Sequence, residues 1–276
     1  MKQRLISAAV VILICIYPLL FGGTSLNVLM TLIGALGCYE FVNCIKKPFN
    51  YLLFIIIEAS YFFNVVTGCT YLIVTLFIEF ILLFIIAIYN EKVDINDVFG
   101  ITSFSLVLSY CISLIIYLYA NDRGTTFFYI LVASLLTDTG AYLIGRKFGK
   151  HKLNERVSPK KTIEGSIGGI IFGFGFSIVY AYFNNFLGLP IYFVIGCSIL
   201  LSLISEIGDL AFSLIKRHYG IKDFGNIMPG HGGVLDRIDS VIFCLLMYAI
   251  LNTILLWKKE FYYLGLVAPL ENKVST

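Results

Sequence analysis

Charged residues are scarce in this chain of 276 residues. Asp, Glu, Lys and Arg make up only 13% of it, whereas an ordinary soluble domain carries about 25%. Hydrophobic residues reach 59%, and the mean hydropathy is +0.90. This abundance of apolar side chains excludes a disordered chain. A soluble fold of this size could not bury so much Leu, Ile and Phe, so the lipid bilayer is the expected environment.

Two other patterns are absent. The seven cysteines are scattered through apolar segments without a C-x-x-C pair, and their number is odd. Buried small hydrophobic side chains therefore explain them better than a disulfide framework or a zinc site. Short strands with alternating hydrophobicity are also missing, which argues against a transmembrane barrel.

The apolar residues form runs long enough to cross a bilayer, because a membrane-spanning helix needs about 20 of them. The first run follows Lys2 and Arg4 and has some character of a signal peptide, but no clear cleavage site follows it. We therefore predict an all-α, polytopic transmembrane protein with about nine spans. The predicted spans are 5–21, 26–45, 51–66, 70–89, 98–120, 125–144, 166–183, 190–215 and 238–257.

The distribution of basic residues predicts the orientation. With the N-terminus inside, most of the 20 Lys and Arg residues fall on the cytoplasmic side, including the run from Arg146 to Lys161. Lys258 and Lys259 fall on the other side, and an error of one span would move the tail inside. We expect a multi-pass protein of the cell (plasma) membrane with both long polar loops in the cytoplasm. No linker or repeat divides the chain, so 1–276 is read as one domain, with N-terminal helices over about 1–123 and the chemistry over 124–276.

The first polar stretch lies between residues 134 and 165. Asp138 falls within a predicted span, and an acid there is costly unless it faces a polar cavity. The basic loop that follows contains Ser158, Lys160, Lys161 and Thr162. Thr162 is placed to cap a helix whose positive end, beside two lysines, suits polyphosphate. A basic loop that only follows topology or touches anionic lipid explains this stretch equally well.

The second stretch is a polar stripe on the predicted eighth span. Its members recur at steps of three and four residues and therefore share one helix face. Carboxylates on such a stripe require a cation, water or protons, and Mg²⁺ held by one or two carboxylates plus substrate phosphates fits this chemistry. A structural hydrogen-bonded pair or a proton path is the open alternative. The stripe comprises Ser202, Ser205, Glu206, Asp209, Ser213 and Lys216.

The third stretch, residues 229–239, combines glycines with acids. Gly232 and Gly233 allow close backbone approach, which can build an anion-binding nest. Asp236 and Asp239 lie three residues apart at the start of the ninth span, where they can meet Asp209 across neighbouring helices. A histidine such as His231, taken alone, is more often structural than catalytic.

These motifs together resemble the phosphatidate cytidylyltransferase (CDP-diacylglycerol synthase) family. The resemblance rests on segments 213–217, 222–225, 229–233 and 236–239, with 138–149 and 158–162 as upstream motifs. They cover about 40% of the chain, and the main motif shows no departure from the family pattern. The N-terminal spans match only in hydrophobic character.

The resemblance implies Mg²⁺-dependent transfer of CMP from CTP to phosphatidic acid, giving CDP-diacylglycerol and pyrophosphate. On this reading Asp209 and Asp236 are metal ligands, with Glu206 and Asp239 as further ones. The remaining assignments cover catalysis and substrate binding. The catalytic set comprises Asp209, Asp236, Lys216, Arg217, Arg237 and His231, and the substrate-binding set comprises Ser158, Lys160, Lys161, Thr162, Asp138, Ser213, Gly232 and Gly233.

Other functions share parts of these patterns. A related enzyme that uses CTP on another lipid phosphate or a lipid alcohol would share most of the site. A transporter also places carboxylates inside helices, but it needs no basic phosphate loop beside a glycine nest. The D-x-x-D-G-x-x-A-R motif of the CDP-alcohol phosphotransferases is missing. The expected partners are CTP, phosphatidic acid and the bilayer, with no nucleic acid, and the sequence leaves a homodimer open. Glu40, Glu58 and Glu79 receive no assigned role.

Overall fold

The computed structural model describes residues 2–45, 50–228 and 232–263, with side chains between residues 10 and 255. Helices dominate this part of the chain, as the apolar runs predict. In chain order the elements are α1 (Lys2–Phe21), α2 (Gly23–Ile45), α3 (Tyr51–Val66), α4 (Leu72–Tyr89), α5 (Ile95–Asp122), α6 (Thr125–Phe148), β1 (Lys152–Asn154), β2 (Ser158–Thr162), α7 (Ile163–Phe183), a 3₁₀ turn (Asn185–Gly188), α8 (Ile191–His218) and α9 (Leu235–Tyr263).

The prediction of an all-α, polytopic membrane fold is confirmed. Seven of the described helices are long and apolar enough to cross a membrane, and Val10–Phe21 and Tyr51–Val66 are shorter apolar helices. Large apolar side chains such as Leu13 and Ile73 remain 72% and 69% exposed, as expected of surfaces that face lipid rather than water. The count of about nine spans is therefore compatible with the described chain.

Small residues bring α7 very close to α6. Gly165, Gly169 and Gly173 recur every four residues along α7 and so share one face. A Cβ atom at Gly169 would lie 2.7 Å from the carbonyl oxygen of Thr137, and one at Gly173 would lie 2.0 Å from its Oγ1. Small residues of this kind let helix backbones approach in membranes. The same face of α7 reaches α8, so α6, α7 and α8 pack as a tight unit.

The loop between α6 and α7 contains a feature that the sequence did not predict. Strands β1 and β2 pair antiparallel, with Lys152 opposite Thr162 and Asn154 opposite Ser158. The hairpin leads directly into α7, whose N-cap is Thr162, as predicted. The Thr162 Oγ1 atom accepts the backbone N–H of Gly165 at 3.2 Å. This cap fixes the end of β2, and thereby Lys160 and Lys161, against the helix bundle.

The N-terminal helices meet the C-terminal ones mainly through α5, which packs against both α6 and α9. Helices α8 and α9 pack along each other, and Arg217 at the end of α8 donates to the carbonyl oxygen of Val157, between β1 and β2. The polar ends of α6, α8 and α9 and the hairpin therefore meet at one side of the molecule.

Candidate active site

A polar cavity of about 420 Å³ lies where α6, the hairpin, α7, α8 and α9 meet. Each of these elements contributes polar residues to the lining of the cavity. Acidic and basic side chains line the same space. The charged and capping residues around it are Asp138, Arg146, Lys160, Lys161, Thr162, Glu206, Asp209, Asp236, Arg237 and Asp239.

Lys161 joins the hairpin to the polar stripe of α8. Its Nζ atom lies 2.8 Å from Glu206 Oε2 and 2.8 Å from Asp209 Oδ2. The side chain of Glu206 is 5% exposed and that of Asp209 is 30% exposed. One cation thus binds two carboxylates that lie three residues apart on one helix face. Its position depends on the hairpin, since β2 carries Lys161 to this point.

Lys161 stays charged in this environment. Burial of the ammonium group lowers the pKa of Lys161, but Asp209 and Glu206 outweigh that effect and leave the pKa above its usual value. A lysine with a raised pKa is protonated throughout the physiological range. Lys161 can therefore supply a positive charge to the cavity, and it is unsuited to act as a general base.

Asp236 organises the loop between α8 and α9. Its Oδ1 atom accepts a hydrogen bond from Lys216 Nζ at 2.7 Å. Its Oδ2 atom accepts the backbone N–H groups of Phe224 and Gly233, each at 2.9 Å. Gly232 has a φ of +86°, a conformation that glycine adopts without strain. The loop is therefore held to the first turn of α9 by one carboxylate with three donors.

The remaining acids of the cavity make fewer contacts. Asp138 on α6 accepts a 3.4 Å hydrogen bond from Ser240, and Asp239 accepts the backbone N–H of the same Ser240 at 2.8 Å. Ser213 donates to Asp209 Oδ1 at 3.4 Å. Asp138 and Asp239 thus come together with the stripe of α8 across three helices, although 101 residues separate them in the chain.

The donor set suits a hard divalent cation. Buried Glu206 has an oxygen, Oε1, without a hydrogen-bond partner, and Asp209 and Asp239 present further carboxylate oxygens to the same cavity. Over the described part of the chain, however, no three Asp, Glu, His or Cys side chains lie close enough to hold a metal ion by themselves. Mg²⁺ commonly binds through one or two carboxylates with water and substrate phosphates as the other ligands. The residues present fit that mode of binding.

Some predicted residues lie elsewhere. Arg217 does not line the cavity. Its guanidinium donates to the carbonyl oxygens of Val157 and Ile221, at 3.3 and 3.2 Å, and so fastens α8 to neighbouring loops. Ser158 pairs with Asn154 in the hairpin. His231 lies outside the described residues.

Three further predicted residues sit just behind the cavity wall. Lys216 holds Asp236, as described above, and its ammonium also lies 5.5 Å from the Phe224 ring centroid. Gly232 and Gly233 form the turn that Asp236 binds, and a Cβ atom at Gly232 would lie 3.1 Å from Asp236 Oδ2. These residues shape the loop, and none of the three lines the cavity itself.

An apolar cavity of about 180 Å³ adjoins the polar one. Helices α1, α2, α5, α6 and α9 line it, and among the described residues Arg237 is the only charged one in its lining. Arg237 also lines the polar cavity, so the two spaces share this residue in their walls. Because α9 begins at Leu235 and rises 1.5 Å per residue, its apolar lining residues Val241 to Leu245 lie deeper in the bundle than the polar ones. Leu135, 51% exposed, lies at the outer edge of the apolar space.

Sequence comparison gives the family. The family model described as the cytidylyltransferase family matches residues 2–255. The chain is similar to the phosphatidate cytidylyltransferase of Staphylococcus haemolyticus, with 38% identity over 262 residues, covering 91% of this chain and 98% of that protein. It is also similar to the phosphatidate cytidylyltransferase of Bacillus subtilis, with 29% identity over 256 residues, covering 89% of this chain and 95% of that protein.

These matches extend over the N-terminal helices as well as the cavity, and they confirm the resemblance noted from the motifs. The chain belongs to the cytidylyltransferase family.

Proposed function

We propose that this protein transfers CMP from CTP to phosphatidic acid, giving CDP-diacylglycerol and pyrophosphate. One observation carries the proposal beyond family membership: the polar cavity, with its acids and fixed cations, shares the lining residue Arg237 with an apolar cavity. A reaction between a water-soluble polyphosphate and a lipid phosphate requires such a pair of adjoining spaces. The polar cavity suits the polyphosphate, and the apolar cavity suits the lipid.

The nucleophile is the phosphate monoester of phosphatidic acid. It is largely ionised near neutral pH, because its second pKa is about 6. The site therefore needs no strong general base, in agreement with the protonated state of Lys161. The oxygen of the lipid phosphate attacks the α-phosphorus of CTP, and the bond from that phosphorus to the bridging oxygen of the leaving pyrophosphate breaks.

Charge repulsion is the main barrier, since one anion attacks another. We assign Lys160, Lys161 and Arg237 to bind phosphate oxygens, because all three line the polar cavity. The capped start of α7 at Thr162 adds the positive end of a helix to the same wall. Asp138 would then help position the substrates from the facing wall of α6.

Asp209 and Asp236 are the proposed metal ligands, with Glu206 and Asp239 as further ones. When bound, Mg²⁺ supplies neutralising charge to the phosphates and favours departure of pyrophosphate. Lys161 keeps Glu206 and Asp209 together, with its Nζ atom 2.8 Å from each. Lys216 and the backbone N–H groups of the loop keep Asp236 in place.

We assign the apolar cavity to an acyl chain of phosphatidic acid. The lining of this cavity is aliphatic apart from Cys15, Met30, Cys111, Phe127 and Arg237. The lipid phosphate would then rest near Arg237 while the chain extends between α2, α5 and α9. On this reading the N-terminal helices, over about 1–123, shape the lipid site, and residues 124–263 hold the chemistry.

We further propose that the polar cavity faces the cytoplasm, where CTP is available. The hairpin loop, the α8–α9 loop and the helix ends beside them carry 11 of the 20 Lys and Arg residues, and positive residues favour the inner side. Bacterial relatives and seven long apolar helices favour the plasma membrane.

The function is tested with purified protein in detergent, phosphatidate, Mg²⁺ and CTP labelled at the α-phosphate. We expect label to enter the lipid and pyrophosphate to be released in equal amounts, only with phosphatidate present and not in EDTA. Diacylglycerol and a second lipid phosphate run in parallel. Transfer only to the second phosphate would assign the site to another lipid, and no transfer by folded protein would favour a transporter.

A further inference from the structure

Glu40 lies on α2, away from the helices that carry the acids of the polar cavity, yet its carboxylate contacts the start of α9. The residue is completely buried. Its Oε1 atom accepts the backbone N–H of Val234, and its Oε2 atom accepts that of Leu235, each at 2.9 Å. These partners lie 194 and 195 residues further along the chain. A long-range contact of this kind holds two parts of the fold in one arrangement.

The contact satisfies the N-terminus of α9. The first N–H groups of a helix lack partners within it, and the helix dipole makes this end positive. A carboxylate that accepts two of these groups therefore caps the helix, although it belongs to a different one. The first two turns of α9 carry Asp236, Arg237 and Asp239, all of which line the polar cavity. Glu40 thus fixes the end of the helix from which these residues project.

Two glycines make room for the Glu40 carboxylate. A Cβ atom on Gly233 would lie 2.5 Å from Oε1, and one on Gly225 would lie 2.6 Å from the same atom. On its other side the loop is bound by Asp236, which accepts the N–H groups of Phe224 and Gly233. Both loop segments are therefore held between a carboxylate of α2 and a carboxylate of α9.

We propose that Glu40 is a positioning residue for the reaction. By capping α9 and fixing the glycine turn, it holds Asp236 and Asp239 opposite Asp209 across the polar cavity. Its effect on turnover rests on the proposed function, whereas its effect on the loop does not. The two effects are measured separately.

Amide hydrogen exchange tests the effect on the loop. Glu40→Gln keeps the size of the side chain but offers one good acceptor where two N–H groups need partners. Glu79→Gln is the matched control, because Glu79 is also buried, at 1% exposure, and its carboxylate binds Ser105 instead of the loop. In metal-free protein we expect exchange in peptides covering 232–239 to rise at least about tenfold in E40Q and to stay within about twofold of wild type in E79Q.

Steady-state kinetics tests the effect on turnover. We expect E40Q to lower kcat at least about tenfold and to raise the Mg²⁺ concentration for half-maximal rate, with KM for CTP changed less. E79Q should leave all three values near wild type. If E40Q does not fold, Glu40→Asp gives the same comparison, because it keeps the charge and withdraws it by one methylene group.

The possible outcomes separate clearly. Unchanged exchange in E40Q, or equal increases in E40Q and E79Q, would overturn the proposal. Faster loop exchange in E40Q with normal kcat and normal Mg²⁺ dependence would also overturn it, because capping would then be structural only. If wild-type protein transfers no label, the proposed function fails, and the exchange comparison still decides whether Glu40 fixes the loop.

Discussion

Two groups of buried carboxylates differ in what surrounds them. In the N-terminal helices, Glu79 receives one hydrogen bond, from Ser105 at 2.7 Å, and an oxygen of each of Glu58 and Glu79 has no partner. In the part of the chain that the structure describes, neither glutamate forms an ion pair. Around the polar cavity, by contrast, Lys161 and Lys216 each bind carboxylates at 2.7–2.8 Å.

On the proposed function, the acids that take part in the chemistry are those that face a cavity with cations. Burial alone does not separate the groups, since Glu79 is 1% exposed and Glu206 is 4% exposed. What changes is the presence of fixed positive charge and of space for a ligand. Glu40 lies on an N-terminal helix like the first group, but its carboxylate accepts backbone N–H groups at the start of α9, which carries members of the second group.

The largest effect should come from neutralising the acids of the polar cavity. We expect Asp209→Asn and Asp236→Asn each to lower kcat by about 1,000-fold or more, because both residues are proposed to hold the charge that offsets repulsion between substrates. Glu58→Gln, the corresponding change in the N-terminal group, should alter kcat less than about threefold. Label transfer per mole of folded protein measures this. Equal losses in both groups would remove the distinction between them.

Removing the cation at the centre of the acidic group should have the next largest effect. We expect Lys161→Met to lower kcat/KM for CTP about 100-fold, since Glu206 and Asp209 lose their common partner. Lys152→Met is the control, because Lys152 is exposed and donates to the carbonyl oxygen of Pro159 within the hairpin. Similar losses in both variants would show that the loop tolerates no lysine change.

Comparison of Lys161→Met with wild type also tests the protonation state of Lys161. Because its folded pKa is raised, its stabilising ion pairs are fully formed below the ordinary lysine pKa of about 10.4 and are lost only as pH rises beyond the folded value. The pH profile of kcat/KM between pH 6 and 9 should therefore keep its shape in Lys161→Met. Disappearance of an alkaline limb in this range would show that Lys161 titrates there.

A smaller effect is expected in the apolar cavity. Ile33 on α2 lines this space, whereas its neighbour Leu32 is 52% exposed on the outer surface. We expect Ile33→Phe to lower kcat/KM for long-chain phosphatidate about tenfold, equivalent to the contact of about two methylene groups. Dihexanoyl phosphatidate and the Leu32→Phe control should show little change. Equal losses for short and long chains would argue against an acyl site here.

The last prediction concerns stability rather than turnover, through the packing that brings α6, α7 and α8 together. A Cβ atom at Gly173 would overlap Thr137 and Ser202, at 2.0 and 2.6 Å from their Oγ atoms, whereas one at Gly175 meets nothing within 4 Å. Gly173→Ala should therefore destabilise the protein by about 1–3 kcal/mol, and Gly175→Ala should change stability by less. Thermal unfolding in detergent compares the two. Equal unfolding temperatures would contradict the close approach of these helices.

Much of the fold follows from local sequence patterns. Long apolar runs predicted the helices, and α3 begins and ends at the predicted residues. Three- and four-residue spacing predicted the stripe of α8, and the position of Thr162 predicted the cap of α7. These features depend on residues within one or two helical turns, so the sequence specifies them directly.

Features that depend on distant contacts were not predicted. The hairpin forms where the loop lies against the bundle, and Lys161 finds Glu206 across 45 residues. Arg217 was expected to bind phosphate, and no local pattern indicated that its Nε and Nη1 atoms donate to the carbonyl oxygens of Val157 and Ile221. The position of Glu40 in an apolar helix indicated that its carboxylate needs a partner, because an unpaired acid in a membrane helix is costly. Nothing in the local spacing indicated that the partner is the start of α9.

Binding of Mn²⁺, followed by electron paramagnetic resonance and displaced by Mg²⁺, tests most directly whether the cavity acids form the functional group. Wild-type and Glu79→Gln proteins should bind Mn²⁺ with similar affinity, and Asp209→Asn should weaken binding at least about tenfold. Equal binding by Asp209→Asn and wild type, or loss of binding in Glu79→Gln alone, would contradict the assignment of the divalent cation to the polar cavity.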